Sequence, residues 1–222
     1  MLENKNKFGF TLSELITALG IIGILAAMSV PALFENIHKR TAVAQLKSMI
    51  GNVQNLANVQ IATKGAKELD LTDFSNPSTL FNDKYFIHTK KCSSSTALTE
   101  CWKIPSGTTK YKAINGTAFS PVAMESVVLK SGAILGYRLY TGTISDTNEK
   151  IYGQFLFDVN GVDKPNIVGR DLFAFYITRG GRIYGSTAGQ DYDAKNNCKN
   201  GGLYSPNYCT NAIIHDNWQM NY

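Results

Sequence analysis

The pattern of apolar and polar positions divides the chain into three regimes. From Phe10 to Phe34 the chain is apolar enough to cross a membrane. A run of about 25 residues spans roughly 37 Å as a helix, the length a bilayer needs. From Arg40 the pattern changes to an amphipathic one. Val43, Leu46, Ile50, Val53 and Ala57 recur at 3–4 spacing, Met49 and Leu56 widen the stripe, and Gln45, Lys47, Asn52 and Gln54 lie off it. Lys64-Gly65 is a stop signal. The spacing therefore predicts one helix over about Thr11–Thr63, half apolar all round and half packed on a domain. Gly20, Gly23 and Pro31 interrupt good helix formers; Pro31 removes a backbone hydrogen bond and is expected to kink or loosen the helix, and the glycines allow close backbone approach.

Beyond Lys67 the pattern is irregular to about Pro121, with a short helix or strand near Leu80–Ile87. Strand periods then appear. "ESVVLKSGAILGYRLY" reads as strand, Ser131-Gly132 turn, strand. "IYGQFLFDV" sets Tyr152, Gln154 and Leu156 on one face against Ile151, Phe155 and Phe157 on the other. "RDLFAFYITRGGRIYG" is a hairpin turning at Arg179-Gly180-Gly181. Five short strands with small turns predict an antiparallel sheet, one face of it covered by the helix stripe. The fold class is α+β, and the domains are 10–34 membrane helix, 35–65 amphipathic helix and 66–222 globular sheet domain, preceded by a short polar leader, 1–9. The stretch from Thr187, rich in Asn, Asp, Gly and Tyr, reads as a surface loop that contacts a partner or glycan or packs across the sheet edge.

Composition changes this picture little. The net charge of +5 over 222 residues is mild, and only Lys39-Arg40 and Lys90-Lys91 form short basic clusters. No dedicated nucleic-acid surface is expected. The four cysteines fall into local pairs without C-x-x-C spacing, and His38, His88 and His215 are scattered, which argues against zinc. Four cysteines allow three connectivities; the local one, Cys92–Cys101 with Cys198–Cys209, is preferred, each bridge stapling a polar loop. A membrane-crossing start favours an oxidising compartment for such bridges. No nucleophile–base frame and no Gly-rich phosphate loop is present, so neither an enzyme nor a cofactor is expected. Asn115-Gly116-Thr117 is formally a glycan acceptor.

The apolar start holds one anomaly, Glu14, a carboxylate where an unpaired charge costs several kcal/mol on most scales. It lies in Gly9-Phe10-Thr11-Leu12-Ser13-Glu14, behind a leader made basic by Lys5 and Lys7. This combination, with the apolar run and its late proline, resembles the type IV pilin and pseudopilin family over roughly the first quarter of the chain. The resemblance implies cleavage between Gly9 and Phe10 by a prepilin peptidase, N-methylation of Phe10, and pairing of Glu14 with the new amine of a neighbouring subunit; the subunit's own amine, one turn away, is the other candidate. A lone buried charge is costly and a paired one tolerable, so the pair would set axial register. The resemblance further implies a pilin-like fold and a subunit that polymerises through its N-terminal helix, Pro31 included, on an inner-membrane assembly platform. Lys5 and Lys7 place the N-terminus in the cytoplasm and the domain in the periplasm, Lys39-Arg40 weakly opposing this. A type IV pilus and a type II secretion pseudopilus both fit; a low-abundance tip adhesin or DNA-uptake module is the alternative.

"DVNGVDKPNIVGRDLF" joins two strands. Asp158, Asn160, Asp163 and Asp171 are candidate oxygen ligands for calcium, which the major secretion pseudopilins bind. Gly161 is misplaced for an EF-hand and no closing glutamate follows. Asx and Gly residues also simply make turns, and a structural turn with no metal is the expectation here.

Overall fold

The computed structural model describes Gly9, residues 11–188 and residues 193–222. The calls on Lys5, Lys7 and Phe10 lie outside them. The helix α1 runs Leu12–Lys64 and includes Pro31. The chain divides into two compact units, one ending at Lys39, the other Arg40–Tyr222.

In the first unit every described side chain from Thr11 to Ile37 is exposed. Among the described residues α1 is the one helix long and apolar enough to cross a membrane, with a mean hydropathy of 2.2 over its most apolar window. Two of its hydroxyl side chains are satisfied locally. Thr17 Oγ1 donates to the Ser13 carbonyl at 2.8 Å and Ser29 Oγ to the Leu25 carbonyl at 2.6 Å, so neither leaves an unpaired group in the apolar run.

In the second unit the stripe of α1 faces inward. Ala42, Val43, Leu46, Met49, Val53, Ala57 and Gln60 are buried, and Ile50 and Leu56 pack at the margin. Two 3₁₀ turns, Leu69–Leu71 and Asp73–Ser75, and a short helix α2 (Pro77–Leu80) follow. Gln60 Oε1 accepts from the Asp73 N–H at 2.8 Å, tying the end of α1 to the second turn. Next come β1 (His88–Cys92), α3 (Ala97–Glu100), and a separate two-stranded ribbon of β2 (Tyr111–Lys112) and β3 (Ala118–Phe119). The strands β4 (Glu125–Leu129), β5 (Ile134–Thr143), β6 (Lys150–Asp158), β7 (Leu172–Thr178) and β8 (Ile183–Tyr184) form an antiparallel meander, and β1 adds to the β4 edge. A long helix packed with an antiparallel sheet, α+β and pilin-like, is the fold.

The core is aromatic. Tyr137 stacks on Phe155 with centroids 4.5 Å apart, Phe155 on Phe175 at 5.1 Å, and Phe74 meets Tyr137 edge-on at 6.1 Å. Gly153 makes room for this: a Cβ there would sit 2.4 Å from the Tyr137 ring.

Three expectations are corrected. The sheet has a sixth strand, β1, from the stretch read as irregular; its sequence, His-Thr-Lys-Lys-Cys, carries no apolar alternation because it is an edge. Lysine on an edge strand discourages pairing with another chain. The simple two-face reading of β6 fails, because the register shifts between Ile151 and Gly153. Ile151 therefore joins Tyr176 and Ile144 in a small cluster apart from Phe155 and Phe157.

The third correction concerns the C-terminal stretch, which is not a loop. It forms α4 (Ala194–Asn200) and α5 (Ser205–His215), and α5 is buried along Ser205–Asn207 and Cys209–Ile213. It packs on β7, all of whose residues are buried. Gly185 permits this approach, since a Cβ there would lie 2.4 Å from the Asn211 Cα. The helix signal was weak because much of the buried surface is polar. Gln154 Nε2 donates to Asn207 Oδ1 at 2.8 Å, and Asn207 Nδ2 donates to the Gly185 carbonyl at 3.0 Å. These two buried side-chain amides pair with each other and with the backbone, so their burial is tolerated without hydrophobicity.

Candidate processing and assembly site

Thr11 and Glu14 form a capping box at the start of α1. The Thr11 N–H donates to Glu14 Oε2 at 2.8 Å, and the Glu14 N–H donates to Thr11 Oγ1 at 3.2 Å. Thr11 Oγ1 also donates to the same carboxylate oxygen, at 2.7 Å. Two N–H groups that the first turn leaves without helical partners are thus satisfied reciprocally. A carboxylate in the first turn also meets the positive end of the helix dipole. Glu14 therefore has a local structural reason beside the one the resemblance implies. The T-x-x-E spacing that signals it is plain in the sequence and went unread. Both bonds use Oε2; among the described residues Oε1 accepts none, which leaves one oxygen for an incoming amine. Gly9 is exposed, and a Cβ built on it meets nothing within 4 Å. Gly20 and Gly23 are equally open.

The disulfides join Cys92 to Cys101 and Cys198 to Cys209, with Cα–Cα separations of 6.2 and 4.7 Å. The first links the end of β1 to the residue after α3. The second links α4 to α5, so it staples two helices rather than a loop.

The Asp158–Asp171 loop closes on the chain's own donors. Asp158 is fully buried and accepts from the Tyr111 hydroxyl, the Gly161 N–H at 2.9 Å and the Asn160 N–H at 3.2 Å. Asp171, also buried, takes the Asn166 N–H at 2.5 Å and the Ile167 N–H at 2.6 Å, one on each oxygen. Lys110, the residue before β2, donates to the Trp102 and Gly161 carbonyls at 3.3 Å each. Asn160 turns its amide to the Lys164 carbonyl, and Asp163 is exposed. Of the four candidate ligands the fold thus brings Asp158 and Asp171 together and turns Asp163 outward. Among the described residues no cluster of three metal-binding side chains forms. Burial pushes the Asp158 carboxyl up to about 7, against the opposing pull of the Tyr111 hydroxyl, and the Asp171 charge adds to the rise. Burial also raises Asp171 and the Tyr111 phenol and lowers Lys110. Lys110 and Tyr111 were not foreseen, because nothing local in the sequence ties them to a carboxylate far along the chain.

Over residues 4–30 the chain matches the family model described as the prokaryotic N-terminal methylation motif. No curated protein and no solved structure matches the chain.

Proposed function

We propose that this chain, which carries the N-terminal signature of type IV pilins and pseudopilins, is a precursor that is cut between Gly9 and Phe10 and polymerises through α1. On this reading residues 1–9 are the leader, 10–34 the membrane and polymerisation segment, 35–65 the helix continuation and 66–222 the domain displayed on the filament. The observation that carries it is the methylation motif lying on a helix that is apolar and exposed along its first half. A helix with no buried face in its own chain must cover that surface with lipid before assembly and with other subunits after it. Glu14 is then the anion available to pair with the Phe10 amine that cleavage creates. Pairing the two would offset the cost of burying both. The two disulfides suit a domain on the oxidising side of the membrane. The role is structural rather than catalytic, and the partners are copies of the chain, a prepilin peptidase and a membrane assembly platform.

The test is intact-mass analysis of the protein made in a host with prepilin peptidase. The expected product lacks Met1–Gly9 and carries one added methyl on Phe10. A product that keeps its leader in such a host, with the peptidase shown active on its own substrate, sinks the reading.

A further inference from the structure

The dipeptide Asn-Gly occurs at Asn115-Gly116, Asn160-Gly161 and Asn200-Gly201. In this pair a backbone nitrogen readily attacks the preceding side chain, because glycine has no Cβ to block the approach. The fold treats the three differently. Asn115 Oδ1 accepts from the Thr117 N–H at 3.0 Å, its Nδ2 donates to the Asn200 carbonyl at 2.6 Å, and the Gly116 N–H donates to the Ala113 carbonyl at 2.9 Å. Asn160 Nδ2 donates to the Lys164 carbonyl and the Gly161 N–H to Asp158 Oδ1, both at 2.9 Å. Gly161 is buried against the Gly132 backbone with no room for a Cβ, so that segment is held still.

Asn200 differs. It is exposed at the C-terminal end of α4, and two glycines follow it. Among the described residues neither its side-chain amide nor the Gly201 N–H has a hydrogen-bond partner. Its main-chain carbonyl does have one, the Asn115 Nδ2. The attacking species is the deprotonated Gly201 amide, whose charge rests largely on that carbonyl oxygen. A donor aimed at the oxygen favours the charged form. One Asn-Gly pair is thus locked in the position that activates another.

We propose that Asn200-Gly201 is a self-modifying site, converting to aspartate and isoaspartate in the folded protein, with the Asn115 amide stabilising the attacking anion. Water or hydroxide takes the Gly201 amide proton. The nitrogen bonds to Asn200 Cγ, and Nδ2 leaves as ammonia, giving a cyclic imide. Water then breaks one of the two C–N bonds of that ring. Breakage at Cγ gives aspartate; breakage at the main-chain carbonyl gives isoaspartate, with one more methylene in the backbone. Either product adds a negative charge between the two helices that Cys198–Cys209 joins. The charge accumulates with the age of the chain. The inference is independent of the filament reading, since every residue it uses lies in the Arg40–Tyr222 unit.

Peptide mapping of the full chain, aged in phosphocholine micelles in mildly alkaline buffer, tests it. Trypsin puts the three pairs in separate peptides. The Asn200 peptide should gain the mass of an amide-to-acid exchange at least about tenfold faster than the other two, whose bonds must break first. Part of the product should take label from an isoaspartyl methyltransferase. In the reduced chain held in urea the three rates should converge. Asn115→Ala should slow Asn200 about threefold in the native chain and leave the disulfide map unchanged. Native conversion of Asn115 or Asn160 that keeps pace with Asn200 overturns the proposal. So does a preference for Asn200 that persists undiminished in urea, or an Asn200 rate that Asn115→Ala leaves unchanged or raises.

Discussion

Glu14 caps the start of α1, and one substitution separates that role from the amine pairing proposed for it. As the third residue of a capping box it needs only an acceptor, and a glutamine side chain accepts from the Thr11 N–H as well as a carboxylate does in kind. As partner to an amine it needs its charge. Glu14→Gln should therefore leave the helix start intact and should insert in the membrane at least as well, because a neutral amide is cheaper to bury than a carboxylate. Assembly should fail, because the Phe10 amine of each incoming subunit would be a buried cation without an anion, at about 3–5 kcal/mol per subunit. Filament yield by electron microscopy, beside membrane abundance by blotting, reads the two roles apart. Normal filaments from Glu14→Gln would reduce the carboxylate to a cap. Loss of the inserted protein would place its role before assembly.

At the scale of elements, the loop between β6 and β7 makes stability depend on pH. Asp158 titrates near pH 7 in the folded chain and near 3.8 ordinarily. The native state thus holds its proton more tightly than the unfolded chain does. The contribution is fully present below about pH 4 and is lost as pH rises through 7, on the order of 4 kcal/mol at most. Asp171 shifts in the same direction, and Lys110 and Tyr111 are the other titrating groups that face the pair. Denaturant midpoints should fall between pH 5 and pH 8, and Asp158→Asn should flatten that slope; equal slopes in both proteins would remove Asp158 as its source. This network also shows where sequence stops being informative. The meander β4 to β8 was readable because each strand pairs with the next and turns at a local signal such as Ser131-Gly132. The stripe of α1 was readable because Val43, Leu46, Val53 and Ala57 sit a helical turn apart and face the core. Tyr111 and Asp158 meet only through the tertiary fold, and α5 hides its burial behind Asn207, Thr210 and Asn211. Hydropathy registers transfer of apolar surface; it is blind to polar groups buried because they found partners. The edge strand β1 escaped for the opposite reason, being too exposed and too basic to show a face.

The whole molecule joins two kinds of surface that obey different solvents. Every described side chain of α1 from Leu12 to Ile37 is exposed, and its first buried position is Ala42. The core of the second unit therefore owes nothing to the first half of the helix. It contains its own aromatic cluster around Tyr137, Phe155 and Phe175, helices on the sheet, and both disulfides. A fragment Lys39–Tyr222 exported to an oxidising compartment should accordingly be soluble and monomeric, because removing Leu12–Ile37 removes the contiguous exposed apolar surface that would drive association. It should unfold in one cooperative transition, as a single core predicts. Reducing it should lower stability by roughly 2–3 kcal/mol for each bridge, the scale for loops closed over 9 and 11 residues. Sedimentation and calorimetric melting, before and after reduction, check these points together. A fragment that aggregates, or that melts without a cooperative transition while its disulfides are intact, would mean that the Arg40–Lys64 stretch cannot hold its helical stripe without the turns that precede it. The membrane half of α1 would then be part of the folding unit rather than an anchor attached to one.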